Sequence, residues 1–352
     1  TIACTVEDAV FRNRLIYKDG IPVMGVSNIR WEMNAAESAQ EGALEVPEPD
    51  EHLPGRTGLV IGRSPFNYYH FISDCLTFLE GLRPLMDDLG FDRIMMNPAI
   101  VRDQGFQWHL VREIYPDLVD RLHFTDTAFR ADHLTFLSPF PSLFAPGADG
   151  TPFTKQGPKG VSRRSFLDTD KPLFDRAEAM IGSRDFADRR DIIVISRREA
   201  DRRVIINEDA LVDALRPFNV RPVVMEKLSV AEQMDLMAGA RVVIGPHGAG
   251  MINTGFCQAG TTAIELTGRH YMQRSFDFAK IGIIRHMNYQ FLIADEHGEI
   301  EHMTGNMGND IRLSDRAIAH LVATVDAALS ASGPREALSA THGLVEEASR
   351  AS

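Results

Sequence analysis

Val242–Asn253 reads VVIGPHGAGMIN, an apolar run that passes into a glycine-rich turn and then into a segment expected to be helical. An α/β protein uses this order of strand, turn and helix to surround an anion with backbone N–H groups. Gly245, Gly248 and Gly250 let the chain turn tightly and approach a ligand with no Cβ in the way. A helix starting there aims its unpaired N–H groups at the same spot. A phosphate-bearing ligand is one expectation. The other is a plain strand-to-helix turn that needs the glycines only for its geometry.

The flanking sequence repeats the pattern. Strands are expected over Ile192–Ser196, Pro222–Glu226, Arg241–Ile244 and Thr262–Leu266, with helices over Asn207–Leu215 and Val230–Ala238. Single helices between strands require crossovers, so this sheet should be parallel and its ligands should lie outside the carboxyl ends of the strands. Upstream, GLVIG as a strand, Asn67–Leu85 as a helix and Asp92–Met96 as a strand make another βαβ unit. A helix near Gln104–Ile114 and strands near Arg121–Phe124 and His133–Leu137 continue it. Residues 1–55 show no sustained rhythm, and Glu45–Pro54, rich in proline and acid, reads as a loop. Pro139–Lys171, dense in Pro and Gly, reads as a connection between domains. Ser314–Leu329 is an amphipathic helix with Ser314 as N-cap, followed by a small, polar tail. The fold class expected is α/β, with two domains facing one another across a cleft. The divisions are residues 1–170, residues 171–312 with a parallel sheet, and a helix and tail over 313–352.

Composition narrows the function. The 352 residues carry a net charge of −12, with 44% hydrophobic and 24% charged residues. A nucleic-acid binder needs a basic face, and attachment to a membrane through bulk charge needs one too. Cys4, Cys75 and Cys257 are far apart and form no C-x-x-C pair, so they read as buried or free thiols of a reducing compartment. No run approaches the about 18 apolar residues that span a bilayer, and TIACTVEDAV lacks a basic stretch followed by an apolar core. The expected location is the cytoplasm.

Strand Ile192–Ser196 ends in Ser196-Arg197-Arg198, with Arg202 and Arg203 close behind. Guanidinium forks match phosphate oxygens and keep their charge. A parallel sheet brings this strand end to the rim that carries Gly245, so Arg197 and Arg198 are read as phosphate ligands. Arg202 and Arg203 are left to a solvated, salt-bridged loop. His247 can donate to a phosphate or a leaving oxygen, or it orders the turn. Glu265 ends the strand TTAIEL, where it can accept from ribose hydroxyls or cap a neighbouring helix. Asn253 caps the helix or meets the ligand. In the N-terminal half, His70 and Asp74 stand four residues apart on one helix, so the carboxylate can orient the imidazole as a general base; the alternative is a packed histidine beside a solvated acid. Arg63 and Ser64 precede them and can reach an anion.

Several motifs are missing. There is no G-x-x-x-x-G-K-[ST]. HGAG is like the oxyanion turn of α/β-hydrolases, yet Gly62-Arg-Ser-Pro-Phe66 fails the G-x-S-x-G elbow. Asp168-Thr-Asp170 sits in loop-like sequence, and His297 and His302 have no clustered ligands, so no metal is expected.

FNYYHFISDCL at 66–76, VISRR at 194–198, VVIGPHGAGMIN and AIEL together resemble glycosyltransferase family 61 over roughly residues 57–295. That group includes capsular polysaccharide biosynthesis proteins and eukaryotic O-GlcNAc- and xylosyl-transferases. Met251-Ile252 depart from the Leu-Thr usual after the glycines, and Ser73-Asp74 fall where the family varies. The resemblance implies two Rossmann-like domains in a GT-B arrangement and an inverting, metal-independent transfer of sugar from a UDP-sugar donor to a glycan acceptor, with no cofactor. On this chain, Arg197 and the backbone of Gly248, Ala249 and Gly250 would hold the diphosphate and Glu265 the ribose. The acceptor would enter past His70 and Asp74, with His70 as base. If the helix Ser314–Leu329 crosses back onto the first domain, as in many proteins of this architecture, domain closure would be hinged there. The setting implied is surface or capsular polysaccharide synthesis, peripheral to a membrane or an assembly complex. A non-catalytic nucleotide-sugar-binding partner protein is the alternative. A dinucleotide-dependent oxidoreductase is a weaker one, because its glycines belong after the first strand of the fold.

Overall fold

In the computed structural model, which describes residues 2–23, 48–62, 64–97, 104–138, 167–185, 187–269, 276–298, 308–331 and 333, the chain divides into two units, Thr1–Leu173 and Phe174–Ser352.

The first unit opens with strands β1 (Ile2–Arg12), β2 (Leu15–Lys18) and β3 (Ile21–Pro22), then β4 (Glu51–Ile61). Helix α1 follows in three consecutive stretches: Tyr68–His70, a π-helical turn at Phe71–Leu76, and Thr77–Leu82. Then come α2 (Leu85–Leu89), β5 (Arg93–Asn97), α3 (Gly105–Ile114), β6 (Leu122–Phe124) and β7 (Phe129–Ser138). The seven-stranded sheet has the order β3-β2-β1-β7-β4-β5-β6. Strands β7, β4, β5 and β6 are parallel to one another. Strands β1, β2 and β3 extend this sheet in antiparallel fashion.

That antiparallel edge was not foreseen. Its two hairpin turns are Asn13-Arg14 and Asp19-Gly20, all four residues at positive φ, as two-residue turns that match strand twist require. The Asp19-Gly20 pair was the available signal. The loop expected over Glu45–Pro54 is also corrected, since β4 already begins at Glu51. Pro54 is tolerated because the pairing with β7 shifts register between Leu53 and Arg56, and Gly55 takes φ 82° there. A bulge leaves a residue outside the ladder, where the missing proline N–H costs little. The elements expected after Thr57 are present, and the apolar run Leu59-Val60-Ile61 is buried at the sheet centre. In order of appearance the parallel strands read 3-2-1-4 from β6, so the sheet changes direction between β4 and β7.

Helix α4 (Leu167–Ile181) spans the division between the units. Asp168-Thr-Asp170 therefore lies on a helix rather than in a loop. Pro172 removes one hydrogen bond from that helix without ending it. Residues 139–166, most of the expected connection, lie outside the described residues, as do Arg63, His302 and the tail beyond residue 333.

The second unit continues with β8 (Asp191–Ile195), α5 (Glu208–Leu215), β9 (Arg221–Val223), α6 (Val230–Ala238) and β10 (Ala240–Pro246). The helix expected after the glycine turn is a 3-10 helix at Ala249–Phe256. Then come β11 (Thr262–Thr267), α7 (Phe276–Ile284), β12 (Asn288–Ile293), the short pair β13 (Asp295–His297) and β14 (Asp310–Arg312), and α8 (Asp315–Ser330). The five-stranded sheet has the order β12-β11-β10-β8-β9, and every pair in it is parallel. Every residue of β10 is buried, as a central strand covered on both faces must be. A capping box starts α6, with Ser229 and Glu232 satisfying each other's backbone N–H groups.

Ser314 caps α8 as expected, accepting from Ala317 N at 3.2 Å. The apolar face of that helix, Leu321, Val325 and Ala328, is buried with Ile192, Val194, Val242 and Ile244 in the second unit's own core. That stripe is spent on the five-stranded sheet of the second unit. Among the described residues no helix is long and apolar enough to cross a membrane.

Candidate functional site

Read from β9, the parallel strands of the second unit follow the order 2-1-3-4-5, so the connections diverge between β8 and β10. A crevice opens at the carboxyl ends of two strands whose onward chains part in this way. Ser196-Arg197 leaves β8 there, and His247-Gly248 leaves β10 beside it.

The loop after β8 is pinned from within and from far along the chain. Ser196 Oγ donates to Glu208 Oε1 at 2.7 Å. Arg197 Nε and Nη2 donate to the Arg202 carbonyl at 3.4 and 3.3 Å. Val204 N donates to Asp310 Oδ1 at 2.8 Å, Ile206 N to the Ile311 carbonyl at 2.8 Å, and Asn207 exchanges hydrogen bonds with the Leu313 backbone at 2.8 and 2.9 Å. Thus held, Arg197 reaches the glycine turn. A Cβ placed on Gly248 would lie 3.1 Å from Arg197 Nη1 and 3.7 Å from Arg203 Nη1. Gly248 has φ 171°, an extended conformation open to any residue, so a side chain there would be met by the Arg197 guanidinium and not by backbone strain.

The other two glycines answer to packing. A Cβ on Gly245 would press on Met251 Sδ at 2.9 Å and Ile195 Cβ at 3.0 Å, and one on Gly250 would lie 3.3 Å from Ile195 Cγ2. They seat the turn on the end of β8. Gly245 and Gly250 shape the turn, and Gly248 leaves room for the arginines. Ala249 and Gly250 begin the 3-10 helix, where the first N–H groups have no intrahelical partner.

His247 is buried, and its Nδ1 meets the Glu265 carboxylate. An ionised carboxylate only accepts, so Nδ1 carries the proton in this pair. Glu265 is fully buried on β11 and accepts the Tyr289 hydroxyl on its other oxygen at 2.6 Å. Burial and the adjacent Glu265 carboxylate push the Tyr289 phenol well above its usual range. The His247 ring packs edge-on against Phe278, with centroids 5.1 Å apart. The sequence reading left Glu265 between a ribose ligand and a helix cap. The fold instead engages both its oxygens and makes it the residue that orients His247.

Three further assignments change. Arg198 does not join the turn: its Nε and Nη2 donate to Glu208 Oε1 at 3.0 and 2.6 Å, with Asp209 at 3.2 Å, and Glu208 holds its guanidinium above the usual range. Asn253 is buried and donates to Gln233 Oε1 at 2.9 Å, tying the 3-10 helix to α6. Arg203, set aside on sequence, also lies beside Gly248, and its Nη1 donates to the His247 carbonyl at 3.3 Å. The trace in the sequence was only its place in the same arginine cluster.

In the first unit the corresponding strand end is Gly62, after β4. A Cβ there would overlap Cys75 Sγ, so the π-helical turn of α1 packs directly on the strand. Asn67 caps α1 by accepting from His70 N at 3.3 Å. His70 Nδ1 stands 3.3 Å from Asp74 Oδ2, with side-chain exposures of 20% and 7%, and Ser73 Oγ donates to Asp74 Oδ1 at 3.2 Å. The expected pair is formed, on a π-helical segment of the kind that recurs at functional sites. Among the described residues no group of three His, Cys, Asp or Glu side chains is placed to hold a metal ion.

No curated protein matches the chain. The glycosyltransferase 61 family model matches residues 68–264, more than half of the sequence, from the first residue of α1 to the residue before Glu265. The chain belongs to glycosyltransferase family 61.

Proposed function

We propose that this glycosyltransferase is inverting and metal-independent, and that it moves a sugar from a UDP-sugar donor to a glycan acceptor in the synthesis of a surface or capsular polysaccharide in the cytoplasm. In this reading the two units serve as the acceptor and donor halves of a GT-B-type enzyme. One observation carries it: the Arg197 guanidinium lies over Gly248 at the strand-order switch of the parallel sheet.

The donor's diphosphate sits on that rim. Arg197, the N–H groups of Ala249 and Gly250, and His247 receive the charge that develops as the bond between the anomeric carbon and the diphosphate oxygen breaks. His70 takes the proton of the acceptor hydroxyl as that oxygen bonds to the anomeric carbon from the opposite face. Asp74 faces Nδ1, which assigns proton uptake to Nε2. Glu265 and Tyr289 hold His247 in place.

The test is a pair of measurements. A thermal-shift screen against UDP, GDP, CDP and NAD identifies the donor class, because a ligand bound only by the folded state raises the melting temperature. His70→Ala should then lower turnover by about 10²–10⁴-fold and leave UDP affinity intact. A wild-type protein that binds UDP yet neither transfers nor hydrolyses any UDP-sugar would instead be a binding partner of an assembly complex.

A further inference from the structure

Among the described residues the seven- and five-stranded sheets end in four edge strands, and three of these are blunt. β3 is two residues long and ends in Pro22, β6 has three residues, and β9 has three with Arg221 and Pro222 among them. Short strands, proline and charge on an edge discourage pairing with another chain. β12 has none of these guards. Its six residues, Asn-Tyr-Gln-Phe-Leu-Ile at 288–293, include no proline and no charge, and no described strand pairs with its outer side.

The register against β11 fixes which groups face outward. Asn288 N donates to the Thr261 carbonyl at 3.0 Å and Ala294 N to the Thr267 carbonyl at 2.9 Å. Successive residues of a strand turn their backbone groups to opposite sides, so Tyr289, Phe291 and Ile293 direct their N–H and C=O groups to the open edge. The same three side chains share one face of the sheet. Tyr289 lies under α7, where a Cβ on Gly282 would come within 2.6 Å of the Tyr289 Cβ. Phe291 packs edge-on against the Tyr289 ring, with centroids 5.3 Å apart. Outside that contact Phe291 and Ile293 remain 42% and 49% exposed, and Ile283 on α7 is 68% exposed. An edge that offers backbone groups and apolar side chains together is built for the addition of a strand.

We infer that β12 is the interface of a homodimer, in which the β12 strands of two copies pair antiparallel about a two-fold axis at Phe291 and join their five-stranded sheets into one. A two-fold axis normal to the sheet pairs an edge strand with itself in this sense. Centred on Phe291, it sets each outward residue opposite another outward residue on the same face. Phe291 meets the partner's Phe291, and Tyr289 meets the partner's Ile293, apolar on apolar. The groups flanking the strand match as well. His286, exposed just ahead of β12, comes opposite the partner's Glu296, just after it, where an imidazole N–H meets a carboxylate. The other two-fold, along the strand, would pair the copies parallel and set exposed Asp295 against the partner's Asp295. Charge and apolar pattern therefore both select a second copy in the antiparallel sense. The inference is independent of the nucleotide-sugar reading.

Sedimentation velocity on the full chain over a concentration series tests it. Six residues span about 20 Å, a small contact beside the about 800 Å² per partner of a tight complex, so the dimer should be reversible with a Kd on the order of micromolar. Phe291→Lys sets two ammonium groups face to face at the axis. It should raise that Kd at least about tenfold and leave the melting temperature of dilute protein unchanged. The register has a separate test that keeps the strand apolar. Hydrogen-bonded antiparallel partners stand with Cα atoms about 5.5 Å apart, within disulfide reach. Phe291→Cys should therefore cross-link to its own copy on mild oxidation, above the wild-type background. Ile293→Cys should not, because its copies lie about 13 Å apart along the ladder. If Phe291→Lys fails to fold, the cysteine pair decides alone. A wild type that stays monomeric at every concentration, a dimer that Phe291→Lys leaves intact, or Ile293→Cys cross-linking as fast as Phe291→Cys would each overturn the inference. Amide exchange then shows why: protection of Phe291 N–H in the monomer would mean that another segment of this chain covers the edge.

Discussion

Glu265 holds His247 from the strand beside it: fully buried on β11, it accepts the Nδ1–H of a histidine that leaves β10, while Tyr289 on β12 donates to its other oxygen at 2.6 Å. Three adjacent parallel strands thus contribute to one buried network whose outer member lies at the candidate diphosphate rim. Removing its centre strands two donors. Glu265→Ala should cost about 3 kcal/mol of stability and Tyr289→Phe about 1.5 kcal/mol, read from urea midpoints. Equal and negligible losses from both would mean that the network does not hold the turn.

Gly62 supports the other half of the chemistry. A methyl group there meets Cys75 Sγ within the π-helical turn that carries Asp74. Gly62→Ala should destabilise by about 1–3 kcal/mol through overpacking. Cys75→Ala removes the sulfur, so the double variant should recover part of that loss. A cycle that comes out additive would show that the two positions do not touch.

Asp74→Asn keeps the shape of the pair with His70 and removes its charge. We expect a fall in kcat on the order of 10²-fold with donor KM little changed, because orientation and basicity of the imidazole matter to the reacting proton and not to donor binding. Full activity in the Asn variant would show that Asp74 does not orient the base.

Cys257 is fully buried, and burial pushes its thiol up from 9.0 to about 12. A raised folded-state value means that the unfolded chain releases the proton first. The contribution is intact below pH 9 and is lost as pH climbs from 9.0 toward 12, by about 4 kcal/mol at the limit. Cys257→Ala should flatten the alkaline fall of the melting temperature across that window relative to wild type. Native protein should also leave Cys257 and Cys75 unmodified by thiol reagents, while half-buried Cys4 reacts first and denaturant exposes all three. Rapid native labelling of Cys257 would contradict its burial.

Much of this was legible in one dimension. The helix Val230–Ala238 falls at its expected bounds because Ser229 and Glu232 form a capping box at its start and apolar residues recur at helical spacing. The pairing of His70 with Asp74 was legible because four residues on one helix fix a distance. The antiparallel edge of the first sheet was missed even though Asp19-Gly20 marks a tight turn, because strands as short as Ile21–Pro22 carry no period to read. Glu265 was read as a ribose ligand or a helix cap because it ends a strand; it is buried because β12 and Tyr289 cover it.

The order of apolar runs and glycines by itself determined that the second unit is a parallel α/β sheet with its candidate site at the strand ends, since periodicity and crossover chirality are local and restrictive properties of a chain. Which arginine reaches Gly248 was decided only in three dimensions. Arg198 and Arg203 are the same chemistry a few residues apart. Arg198 is drawn to Glu208, ten residues on, while Arg203 is turned inward by a loop fastened to Asp310, 106 residues from Val204. A local pattern cannot encode a contact whose partner is set by the packing of another strand, and that contact decides which arginine lies by the glycine turn.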